Sequence, residues 1–113
     1  MSYYQVKTCP QYSSKKFIHP LFQQRIYDLI VHTETNFPDV THLALFGSVA
    51  RGDCTEFSDI DICVFGDSRG RFYPPLHDDT DYDILWYKFI DKTSDLWKTL
   101  CKEAIVIYGP VVN

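Results

Sequence analysis

Leu45 to Phe65, LFGSVARGDCTEFSDIDICVF, constrains this chain more than any other stretch. It reads as an apolar strand ending in Gly47-Ser48, a polar excursion, and a second strand that opens Ser58-Asp59-Ile60-Asp61. Successive strand side chains point to opposite faces, so Asp59 and Asp61 share one face while Ile60, Ile62 and Val64 share the other. Two carboxylates roughly 6–7 Å apart along one strand are poorly explained as core and well placed to hold divalent cations. The Gly-Ser turn ahead of them offers backbone N–H groups and a hydroxyl, which suit a phosphate. Phosphate donors beside metal-holding carboxylates point to phosphoryl or nucleotidyl chemistry.

A chain of 113 residues is expected to form one domain and to bury about two-thirds of its unfolded surface. An apolar share of 45% and a charged share of 23% suit a soluble globular protein. Aromatics at 16% are numerous enough for some to face a ligand or partner. The net charge of −4 gives no support for long-range attraction to nucleic acid, although a local basic strip is compatible with an acidic total. No apolar run has the length of a membrane span, and MSYYQVKTCPQ lacks the apolar stretch of a signal peptide, so a cytoplasmic location is expected. Cys9, Cys54, Cys63 and Cys101 show no ligand-like spacing and read as reduced thiols.

Residues 1–18 are polar and without a sustained period, and read as a flexible or lightly docked arm ahead of a domain over 19–113. His19-Pro20 opens a helix in which Phe22, Ile26, Leu29, Ile30 and Thr33 form one apolar face up to about Thr35, with Asn36 to Pro38 ending it. Val40 to Phe46 predicts a strand, and Ser48 to Gly52 reads as the turn that follows it. Asp59 to Phe65 follows as the second strand, and Gly66 to Thr80 reads as loop because of its Gly and Pro content. The aromatic run around Tyr82 to Tyr87 is a third strand. A second helix capped by Thr93 or Ser94 carries Leu96, Trp97, Leu100, Cys101 and Ala104, and Ala104 to Tyr108 is the last strand. The order implies an α/β (α+β) fold, a small mixed sheet with helices packed on it.

Each candidate residue also has an ordinary reading. Gly47 is either a plain strand-ending turn or part of an anion cradle, and Ser48 either a helix N-cap or a phosphate ligand. Arg51 either pairs with Asp53 or Glu56 at the surface or makes a charge-assisted contact to phosphate or a catalytic carboxylate. Gly52 relieves a turn that a Cβ would crowd. Asp59 and Asp61 are either scattered charges on a wet strand face or ligands whose mutual repulsion a cation relieves. Arg69, Arg71, Phe72 and Tyr73 either line a base pocket or form an exposed loop. His19, His32, His42 and His77 show no ligand-pair spacing, and Trp86 and Trp97 read as core or interface.

Gly47-Ser48, ten intervening residues and Asp59-Ile60-Asp61 resemble the signature of the minimal nucleotidyltransferases of the DNA polymerase β-like superfamily. GSVARGD is similar to that family's GSxARG turn and SDIDICV to its SDxDLxV strand, and the flanking elements extend the resemblance over about residues 20–109. The resemblance implies that a short helix begins over Ser48 to Gly52, that Gly47 and Ser48 contact the outer phosphates of a nucleoside triphosphate, ATP first among them, and that Arg51, on the Arg of the family's turn, contacts phosphate or a catalytic carboxylate. It implies that Asp59 and Asp61 hold Mg²⁺ or Mn²⁺ in a two-metal transfer of a nucleoside monophosphate to a hydroxyl, with release of pyrophosphate. The resemblance also implies a third carboxylate from a later strand, an acid followed by two apolar residues, that coordinates the metal nearest the acceptor and takes or relays its proton. Asp83-Ile84-Leu85 fits, with Asp81 as the competing candidate and Asp78 and Asp79 as loop acids. The chain departs from the family where a helix is usual between the second and third strands, because Gly66 to Thr80 is too short and too rich in Pro and Gly. One-domain relatives draw the acceptor from a partner, often as antitoxins that adenylylate a tyrosine of a HEPN-type ribonuclease toxin; homo- or hetero-oligomers both fit this picture. The competing classes are a non-catalytic module of the same fold acting through a protein partner and an aminoglycoside-type resistance transferase.

Overall fold

The first apolar periodicity becomes α1 (Gln23–Asn36), entered through a 3-10 turn at Pro20–Phe22. Phe22, Ile26, Leu29, Ile30 and Thr33 are all buried, as their spacing requires of one helix face. Thr33 satisfies its buried hydroxyl by donating to the Leu29 carbonyl at 2.8 Å. Beyond Asn36 the Phe37 N–H still bonds to Thr33 O, and the chain then turns at Pro38. The computed structural model describes residues 7–8, 19–67, 69–76 and 81–109. Most of the arm read over residues 1–18, and Cys9, His77, Asp78 and Asp79, thus lie outside the described residues; Lys7–Thr8 form a two-residue strand, β1.

The sheet is completed by β2 (His42–Phe46), β3 (Ile60–Phe65), β4 (Tyr82–Trp86) and β5 (Ile105–Tyr108). Its order is β1-β5-β2-β3-β4, with β3 and β4 parallel and the other pairs antiparallel. This is the expected mixed sheet, with β2 starting two residues later than Val40. Strand alternation sends Leu43, Leu45, Ile60, Ile62, Val64, Ile105 and Ile107 into a core with α1, while Ala44, Phe46 and Cys63 meet Leu100 and Ala104 on the other face. Ile62 is fully buried, and such a side chain contributes about 1.5–3 kcal/mol by leaving water. α3 (Asp95–Glu103) covers the second face; the Ser94 hydroxyl caps it by accepting from Trp97 N–H at 3.2 Å. Among the described residues, no helix is long and apolar enough to cross a membrane.

Parallel strands need a crossover, and helices commonly supply it. Here residues 66–81 cross without one among the described residues, as the Gly and Pro content predicts. Phe72, which the sequence offers as pocket lining or exposed loop, is neither: it is 4% exposed and belongs to the core with α1. Asp67 holds this loop in place. Its carboxylate accepts from Arg71 N–H at 3.1 Å, Phe72 N–H at 2.7 Å and the Trp86 indole N–H at 2.9 Å. The loop is thus fastened to the sheet by one buried aromatic ring and one satisfied carboxylate.

Candidate active site

Phe46, the last residue of β2, stands opposite Asp61 in the antiparallel ladder. Gly47 therefore passes directly beside the Asp61 side chain. A Cβ on Gly47 would overlap Asp61 Oδ2, and the residue has φ +75°, so glycine is required both for space and for conformation. Gly47 also begins the short helix α2 (Gly47–Arg51), which closes at Gly52. A Cβ on Gly52 would meet nothing within 4 Å; contrary to the crowding expected there, its left-handed φ of +89° is the reason for glycine. Ser48 is not the N-cap, since Phe46 holds that position without a side-chain bond. Its hydroxyl is not committed to capping.

The other side of Gly47 is closed by β5. Leu45 pairs with Ile105, and continuing that antiparallel ladder brings Glu103, the last residue of α3, across from Gly47. Glu103 Oε2 accepts the Gly47 N–H at 2.9 Å, and Oε1 accepts from Arg51 Nη1 at 2.7 Å. Arg51 Nε also donates to Asp53 Oδ2 at 3.1 Å. The Glu103 side chain is 14% exposed and that of Asp53 62%, so the Glu103 contact is much less screened by solvent. The Glu103 hydrogen bond, then that of Asp53, raises the Arg51 pKa further above its already high value.

On the third side the parallel ladder sets Asp61 opposite Asp83. Asp59 lies two residues before Asp61, on the same strand face. Burial first, then the charges of Asp83 and Asp59, push the Asp61 carboxyl up to about 6; Arg51 opposes this and Glu103 adds to it. Asp81 extends the same register alongside Asp59, and its carbonyl accepts the Ile60 N–H at 2.9 Å. Of the two candidates for a third acid, Asp83 is the one paired with Asp61.

Gly47, Ser48, Arg51, Asp59, Asp61 and Asp83 are thus gathered at one end of β2, β3 and β4. Arg69, Arg71 and Phe72 belong to the loop around Asp67 at the far end of β3. Tyr73 sets its ring edge-on to His32 and Phe37 on the α1 side. Glu103 is the residue that the sequence reading missed; only the β2–β5 register, continued past the strand ends, signals it.

Among the described residues, no three His, Cys, Asp or Glu side chains are grouped so as to hold an ion as they stand. The donor chemistry nevertheless fits a hard cation. Carboxylate oxygens alone suit Mg²⁺ or Mn²⁺ rather than zinc, and the weakened acidity of Asp61 marks a concentration of negative charge. Asp59 and Asp83 are exposed, which leaves their side chains room to rotate toward Asp61.

Residues 26–98 match a family described as a nucleotidyltransferase domain. A protein of Methanocaldococcus jannaschii named as a putative protein adenylyltransferase is 36% identical over 74 residues, covering 66% of this chain and 50% of that protein. The chain thus spans half the length of this relative. A crystal structure of a toxin-antitoxin with AMP-PNP has a TM-score of 0.58 at 20% identity, covering 75% of this chain and 73% of that one. The MntA-HepT toxin-antitoxin gives 0.52 at 19% identity, covering 78% and 73%. At these identities the two structures speak for the fold.

Proposed function

Because the chain belongs to the nucleotidyltransferase domain family, we propose that it transfers a nucleoside monophosphate, AMP from ATP first, to a hydroxyl on a protein partner. The observation that carries this reading is the contact of Gly47 with the Asp61 carboxylate, with Asp83 in register beside it. A phosphate-binding turn and an acidic cluster share one edge with no side chain between them. The adenylyltransferase name of the M. jannaschii relative supports AMP as the group moved. The toxin-antitoxin names of the structural neighbours support a protein acceptor, of which a HEPN-type toxin is the leading candidate.

In this mechanism the Ser48 hydroxyl and N–H receive the outer phosphates, while the Gly47 N–H is held by Glu103 and Gly47 leaves room for the ligand. Arg51 places its guanidinium against the same phosphates. Asp59, Asp61 and Asp83 would hold the divalent cation, and Asp83 would also take the acceptor's proton. When bound, that cation supplies Lewis-acid stabilisation of charge on the phosphoryl oxygens. The acceptor oxygen attacks the α-phosphorus, the bond to pyrophosphate breaks in line, and the hydroxyl proton passes to the Asp83 carboxylate. Much of the rate comes from positioning.

The test is transfer of label from α-labelled ATP, with Mg²⁺, to total protein of the host cell. Labelled protein and released pyrophosphate are expected from the wild-type chain and neither from Asp59→Asn, with both proteins folded. The alternative is a contact-only module of the same fold, in keeping with the 16% aromatic content. That reading prevails if the wild-type chain shows no Mg²⁺-dependent nucleotide binding by calorimetry.

A further inference from the structure

Glu103 reaches the site from an element that the proposed chemistry does not use. It ends α3, yet its carboxylate bridges the first and last residues of α2, Gly47 through N–H and Arg51 through Nη1. Its side chain is mostly buried, and its charge bears on Asp61, where carboxylates already crowd. A fourth acid at such a place is unfavourable unless its charge is engaged, and the Arg51 guanidinium engages it.

We propose that Glu103 is a positioning residue for nucleotidyl transfer, an inference that rests on the function proposed above. Glu103 fixes the guanidinium plane of Arg51 and the peptide of Gly47 before nucleotide arrives. A guanidinium carries five N–H donors in a planar fork. With Nη1 tied to Glu103 and Nε to the exposed Asp53, the donors left over have a set direction, and the triphosphate meets a group that no longer has to be ordered. Ser48 is left outside this bridge, so its N–H and hydroxyl stay on the ligand side of the turn. The sheet itself delivers Glu103 here, because the β2–β5 register sets the end of α3 across from the end of β2.

The experiment measures label transfer from α-labelled ATP at saturating nucleotide and, separately, the affinity for AMP-PNP with Mn²⁺ by calorimetry. Glu103→Ala is expected to slow transfer about tenfold or more, the scale at which misplacement of a catalytic group is felt, with affinity changed less than about threefold. Glu103→Gln keeps the reach and one acceptor oxygen and should recover part of the rate. Lys102→Ala, the exposed neighbour on the same helix, should behave as wild type. The Gly47 amide proton should move upfield in the Glu103→Ala spectrum as its carboxylate partner is lost.

Unchanged transfer by Glu103→Ala overturns the proposal and leaves the enzyme reading standing. So does tighter AMP-PNP binding at an unchanged rate, which would make Glu103 a competitor for the phosphate place. A wild-type chain that neither binds AMP-PNP nor transfers label removes both. Should Glu103→Ala not fold, Glu103→Asp decides: it keeps the charge but is one methylene short of spanning both donors, so a severalfold slower transfer supports the proposal and a wild-type rate overturns it.

Discussion

The two ends of β3 carry carboxylates in opposite circumstances. At the far end, burial pushes the acidity of Asp67 one way, but hydrogen bonds from the Trp86 indole and the Phe72 and Arg71 amides outweigh it and hold its pKa below the usual carboxylate range. At the near end, Asp61 is half-buried among Asp83 and Asp59, and its pKa rises to about 6. One strand therefore holds an acid whose oxygens are supplied with donors and another surrounded by like charge. The first is a fastening for the crossover loop. The second gains most from a cation arriving from outside.

The largest effect that would break this contrast concerns chemistry. Asp61→Asn should lower label transfer by about a thousandfold or more, the scale set by losing several kcal/mol of metal-borne charge stabilisation, while circular dichroism shows a folded protein. Substantial residual transfer would move the cation site elsewhere. Next comes Asp67→Ala, which strands an indole and two amide donors and should destabilise the fold by about 3 kcal/mol in urea unfolding. A near-neutral result would mean that the loop does not depend on its anchor.

Smaller, but diagnostic, is the pH dependence of stability in chelator. The raised pKa of Asp61 gives a contribution that is complete below roughly pH 4 and is lost as pH rises through about 6. The lowered pKa of Asp67 works the other way: its contribution is present above roughly pH 4 and is lost on acidification. Asp61→Asn should therefore gain stability over wild type, on the order of 1 kcal/mol, between pH 4 and pH 8 in thermal unfolding. A constant difference across that range would contradict the assigned environment. Smallest of all, Asp53→Ala removes an exposed ion pair to Arg51 and should cost roughly 0.5 kcal/mol or less.

The near end of β3 was legible in the sequence because its logic is local. Alternation assigned Asp59 and Asp61 to one face and Ile60, Ile62 and Val64 to the other, and the Gly-Ser turn announced the start of α2. The far end was not legible. Asp67 sits in a Gly-rich loop whose composition says only that it turns; its burial depends on Trp86, brought alongside by parallel pairing of β3 with β4. Phe72 was ambiguous for the same reason, since its burial depends on distant partners such as Phe37 and the α1 core. Glu103 closes a helix whose expected apolar stripe holds at Trp97 and Leu100 but not at Leu96, which is exposed, and its partner lies 56 residues away. No local period reports a contact of that range.

Asp61 leans on the bare α-carbon of Gly47, and this makes two separated positions a matched set. Bulk added at Gly47 would evict the carboxylate of Asp61, and a side chain smaller than aspartate would leave a hollow beneath the bend. The mostly exposed segment 53–58 between them is under no such obligation. A change in its length can alter the surroundings of the site while bend and acid stay together.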